Sequence, residues 1–189
     1  AGGAAALMEE RTPGVRPRPS LRRRLDIAAR CSFPGATTAL LLLLAAGPLG
    51  LPGQAELQCA LVLGCVFFWS LFRPASLPPL VVFGLGVLTD LLGYSPIGVS
   101  VLVLLLVHGL AMLWRRELAQ QGFLMLWLAF VAVAVGAAAL QWALTSLLTF
   151  RLLPAGPAMF QAALSAGLYP LLAVVLARAH ATVAEPARA

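Results

Sequence analysis

Lysine and asparagine are absent from this 189-residue chain, and isoleucine occurs only at Ile27 and Ile97. All 13 basic residues are therefore arginine. Losing those residue types while enriching Ala, Gly, Pro and Arg is the composition expected of a GC-rich bacterial genome. Charge is scarce as well: 11% of residues are charged and 61% are hydrophobic, with a mean hydropathy of +0.93. Soluble domains carry about 25% charged and about 45–50% apolar residues, so a soluble globular enzyme is excluded. Disorder needs low hydrophobicity and high charge and is excluded too. An integral membrane protein remains. Three cysteines, an odd number, provide no disulfide framework. Cys59 and Cys65 lie inside one apolar run and Cys31 at the edge of another, so they read as buried small hydrophobes. No Cys/His spacing suits zinc, and no paired carboxylates, Gly-rich phosphate loop or nucleophile–base pair stand out. The loops between apolar runs are too short for a catalytic domain. Neither an enzyme, a metal nor a cofactor is expected.

What the chain does have is apolar runs. A helix needs about 20 apolar residues to cross about 30 Å of hydrocarbon, and six runs approach that length. Span one is Phe33 to Leu51, with Pro34 in its first turn and Pro48 near its end. Span two is Leu57 to Phe72, closed by Arg73-Pro74. Span three, Leu77 to Tyr94, contains an acid, Asp90, and reads as either a continuous helix or a broken, re-entrant one. Span four is Ile97 to Trp114, ended by Arg115-Arg116-Glu117. Span five, Gly122 to Phe150, reaches roughly 43 Å at 1.5 Å per residue and must tilt, kink or project beyond the bilayer. Span six is Ala158 to Ala177, with Pro170 inside it as a tolerated kink.

The chain thus divides into a basic leader (1–32), a six-helix transmembrane domain (33–177) and a short tail (178–189). Residues 1–7, ahead of Met8, read as a cloning remnant or a mis-assigned start, and no A-x-A cleavage site follows the first apolar run. The net charge of +6 matters for its position, not as a sign of nucleic-acid binding. The leader, Arg73, Arg115-Arg116, and Arg178 with Arg188 all fall on one side, and only Arg151, beside Glu56, falls on the other. The positive-inside rule then puts both termini in the cytoplasm. The leader segment Leu21 to Arg30 reads either as a basic amphipathic helix on anionic lipids or as a topology signal after a proline-rich tail. Trp69, Trp114, Trp127 and Tyr94 sit near span ends, where an aromatic belt is expected.

Polar groups inside hydrocarbon are costly and mark functional candidates. Asp90 is the sharpest, in the run GVLTDLLGYSPIGVS. It is either a partner- or ion-binding carboxylate, or a structural acid that pairs with Arg151 or hydrogen-bonds the turn at Pro96 and Gly98 that opens span four. His108 shares a helical face with Ser100, Leu104 and Ala111 and reads as a hydrogen-bonded packing residue. Gln141, Thr145 and Thr149 form one polar stripe and Gln161, Ser165 and Tyr169 another. The two stripes face each other toward the outer half, either lining a small polar cavity or bonding helix to helix. Gly84 and Gly86, Ala132 with Gly136, and Ala163 with Gly167 permit close helix contact.

Three segments carry a resemblance: FWSLFRP, ending at Pro74; GVLTDLLGYSPIGVS, 86–100; and AGLYPLLAVVLAR, 166–178. Their order, spacing and the chain length resemble the rod shape-determining MreD family. In that family an aromatic–Trp pair precedes a Pro, a G-x-x-x-D-L segment is followed by a turn and Leu/Ile-Gly, and the last helix carries a Gly–aromatic–Pro signature. The similarity spans roughly Leu57 to His180; the leader is longer and more basic than usual, and spans one and five match by hydropathy alone. The resemblance implies a non-enzymatic inner-membrane subunit that binds the scaffold MreC directly and helps link MreB filaments to the peptidoglycan polymerase and transpeptidase, in contact with membrane lipids. The family is also similar in architecture to the six-helix substrate-binding subunits of energy-coupling vitamin transporters, which implies a second function, capture of a vitamin-like small molecule. A structural assembly factor without MreC is a third.

Overall fold

The computed structural model describes residues 21–47, 52–93, 95–118 and 120–184, with side chains described outside 21–32 and 180–184. Residues 1–20, Tyr94 and Arg188, which carry parts of the leader, belt and tail readings, lie outside them, as do the side chains of Arg22 to Cys31. Among the described residues the chain is all helical. Its helices are α1 (Leu21–Ala45), α2 (Gln54–Phe72), α3 (Pro79–Gly93), α4 (Val99–Leu118), α5 (Phe123–Thr149) and α6 (Gly156–Ala184), with a short 3-10 turn at Pro74–Ser76.

Each of the six apolar runs becomes a helix, but four are long and apolar enough to cross a membrane: α2, α4, α5 and the Gly156–Ala179 part of α6. This is a membrane-embedded helical protein. The two shorter ones have identifiable limits. The apolar part of α1 is Phe33–Ala45, because the helix stops ahead of Gly47 and Pro48, and a residue before proline is driven out of the helical region. That helix also begins at Leu21, so the basic segment and the first apolar run share one helix. Helix α3 begins at Pro79, a residue suited to a first helical turn, and its 15 residues rise about 22 Å. It is continuous from Pro79 through Asp90 to Gly93.

Helix α2 sits at the centre and packs against every other helix. From Gln58 to Leu71 every residue of α2 except Cys59 and Leu61 is buried against those neighbours. Trp69, expected at a membrane interface, is fully buried in this core and meets the Phe33 ring edge-on. Trp114 is exposed, whereas Trp127 donates its indole N–H to the Ala166 carbonyl at 2.9 Å. Phe67 of α2, Phe130 of α5 and Tyr169 of α6 form one aromatic cluster, with the Phe130 and Tyr169 rings stacked at 4.0 Å.

Of the small residues expected to bring helices together, Gly86 does so: a β-carbon there would lie 2.5 Å from the Val101 Cα of α4. Gly84, Gly136 and Gly167 do not, since a β-carbon at each would meet nothing within 4 Å. The space beside each is open, which the spacing of small residues alone could not reveal. Pro170 lies within α6 without ending it.

Candidate functional site

The last turns of α3 are tied to the N-terminus of α4 by one carboxylate. Asp90, 1% exposed, accepts the Gly98 N–H through Oδ2 at 2.7 Å and the Ser100 N–H through Oδ1 at 3.0 Å. The first N–H groups of a helix have no internal partner, and the positive end of the α4 dipole favours a negative group there. The turn between the helices is compatible with this because Gly98 adopts φ +103°, a conformation that glycine takes without strain. The Val99 N–H closes onto the Pro96 carbonyl. Asp90, Pro96 and Gly98 are thus one unit, and the acid is used internally. Arg151 makes no ion pair with it.

The two polar stripes meet in part. Gln161 of α6 donates Nε2–H to Gln141 Oε1 of α5 at 3.0 Å, and Gln141 in turn points Nε2 at Cys59 Sγ, 3.5 Å away on α2. Thr149 turns back to the Thr145 carbonyl of its own helix at 2.7 Å, and Ser165 likewise to that of Gln161 at 2.7 Å. Gln141, Thr145 and Gln161 line a cavity of about 190 Å³, together with Glu56, Cys59 and Ser95; Ser165 does not reach it. Both alternatives for the stripes therefore hold, at different residues. Glu56 and Cys59 come from α2 and Ser95 from the α3–α4 link, a combination that no linear motif announces. Their one sequence signal is Glu56, an acid at the end of the molecule poor in arginine.

Trp142 closes one side, its indole N–H donating to the Leu153 carbonyl at 3.0 Å. Below the cavity lies a void of about 10 Å³ shared by Cys59, Gln141, Gln161 and Ser100. That is room for about one water, and the buried Ser100 hydroxyl oxygen, which has no protein partner, faces this need.

The chain matches no family model, no curated protein and no solved structure.

His108 finds its partner across the bundle: Nδ1 lies 2.7 Å from Ser70 Oγ, and both side chains are buried. The Ser70 hydroxyl also contacts the Val66 carbonyl one turn back. Neither residue lines the polar cavity, so the pair joins α2 to α4 as a packing contact of the kind expected for His108. No group of three His, Cys, Asp or Glu side chains able to hold a metal occurs among the described residues.

Proposed function

We propose that this chain is a non-enzymatic inner-membrane subunit of the bacterial cell-elongation machinery, of the MreD type, which binds MreC and helps couple MreB filaments to peptidoglycan synthesis. The observation that carries the reading is how the three resembling segments behave in the fold. The first and third lie on the packed pair α2 and α6, where Phe67, the residue just before the first segment, meets Tyr169 edge-on. The second forms a self-contained hairpin locked by Asp90, Gly86 and Gly98. Trp69, Asp90 and Tyr169, one from each segment, are fully buried, which supports reading them as a signature that maintains a scaffold.

In this reading all six helices cross the bilayer with both termini in the cytoplasm. Helices α1 and α3 do so by local thinning of the membrane, an accommodation that costs fractions of a kcal/mol per Å of mismatch. The ends of α2, α4 and α6 carry Arg73, Arg115, Arg116 and Arg178, which supports that sidedness. The outer cavity favours the second reading, a vitamin-like binding subunit. Its volume of about 190 Å³ falls short of the roughly 300 Å³ at which small-molecule sites begin. Depletion in the host separates the two: rods turning into spheres with vitamin uptake intact, and MreC co-purifying with the chain, is the expected outcome. Unchanged cell shape with a defect in uptake of one solute would reverse the choice.

A further inference from the structure

The polar cavity is bordered by an apolar one. On the outer side of the α5–α6 pair runs a groove of about 460 Å³, which shares Ala138, Trp142 and Ala158 with the polar cavity. Alanines such as Ala139, Ala162, Ala163 and Ala166 leave it open, and its lining is almost wholly apolar. Polar chamber and apolar groove thus adjoin on either side of one indole. The chamber has a definite electrical character: Glu56 is the charged residue that lines it, no arginine does, and the carboxylate has no hydrogen-bonding partner among the described residues. The Thr145 and Ser95 hydroxyls and the Gln161 amide line the same space. A carboxylate with neutral acceptors suits a group with several N–H donors and a positive charge.

We propose that this face binds a phospholipid whose headgroup carries a primary ammonium, with the ammonium at Glu56 in the chamber and an acyl chain in the alanine-lined groove. The site does not depend on the elongation reading; it requires only that the chain be embedded in a bilayer. A choline headgroup lacks the N–H donors, and a glycerol headgroup leaves the lipid with a net negative charge facing Glu56. Both should bind less well.

The full-length chain, delipidated and reconstituted, is titrated with brominated lipids of identical acyl chains, and quenching of Trp142 is read against a Trp142→Phe background. Ethanolamine lipid should bind about tenfold more tightly than choline or glycerol lipid, equivalent to about 1.4 kcal/mol. Glu56→Gln should erase that preference, and Ala163→Phe, at an exposed position in the groove, should weaken all three lipids. Equal binding of the three headgroups by the unaltered chain overturns the proposal, and that comparison needs no variant to fold. A preference that survives Glu56→Gln overturns it as well. So does competition by soluble glycerophosphoethanolamine as strong as that of the intact lipid, because the groove would then contribute nothing.

Discussion

The Asp90 carboxylate of α3 accepts the backbone N–H of Ser100 ten residues further on, at the start of α4, at 3.0 Å. A buried acid in a membrane protein is thereby accounted for without an outside partner: its charge is met by two backbone donors and a helix terminus.

Asp90→Asn keeps the shape but replaces one acceptor oxygen with a donor amide facing a donor N–H. Losing a hydrogen bond to a charged group costs about 1.5–3 kcal/mol. Thermal unfolding in detergent should show a lower Tm, with membrane abundance falling in parallel, while Arg151→Ala leaves both unchanged. Retained stability with selective loss of MreC recovery would move Asp90 to a partner interface.

Glycine substitutions should separate into two groups. Gly86→Ala drives a β-carbon into the Val101 backbone and should cost about 1–3 kcal/mol as overpacking. Gly98→Ala has space but the wrong φ, with strain of about 1–3 kcal/mol. Gly84→Ala meets open space and should be neutral or stabilising by up to about 1 kcal/mol, from helix propensity. Unfolding curves for the three variants in one detergent make the comparison.

The Ser70–His108 and Gln141–Gln161 contacts join different helices, and interhelical hydrogen bonds in membranes average about 0.6 kcal/mol with a maximum of about 1.7 kcal/mol. A double-mutant cycle with Ser70→Ala and His108→Leu should give a coupling energy inside that range. The Gln141→Leu and Gln161→Leu cycle should give a smaller one, because water entering the cavity competes for those amides. A zero coupling for the first pair would remove it from the forces holding α2 to α4.

Topology is open to direct measurement. Reporter tags at Met8 and at Ala189 should both report cytoplasmic, and a tag between 151 and 155 should report the opposite side. Opposite sides for the two termini would mean an odd number of crossings, with α3 the helix to re-examine first because its 15 residues are the fewest of the six α-helices.

Much of this could be read in the residues themselves. Apolar runs without charge become helices in any arrangement, because in hydrocarbon the backbone must satisfy its own hydrogen bonds. The short links then make successive helices antiparallel, and the arginines mark one end. The Pro96–Gly98 turn could be named as one candidate partner of Asp90 because it is near in sequence. Arg151 and an outside partner stood beside it until the hydrogen bonds of the packed hairpin were in view. The rest needed the packed bundle. Trp69 lies near a helix end, as an interfacial anchor would, but is buried because α2 became the central helix. Gly86 and Gly84 differ by two positions, and only the direction from which α4 approaches makes one a contact and the other open. Glu56, Cys59, Ser95, Gln141 and Gln161 come from separate stretches and line one cavity only when α2, α5 and α6 converge. Helical periodicity determines which residues share a face of one helix; which faces meet is a property of the whole assembly, settled by side-chain volumes packing together across helices.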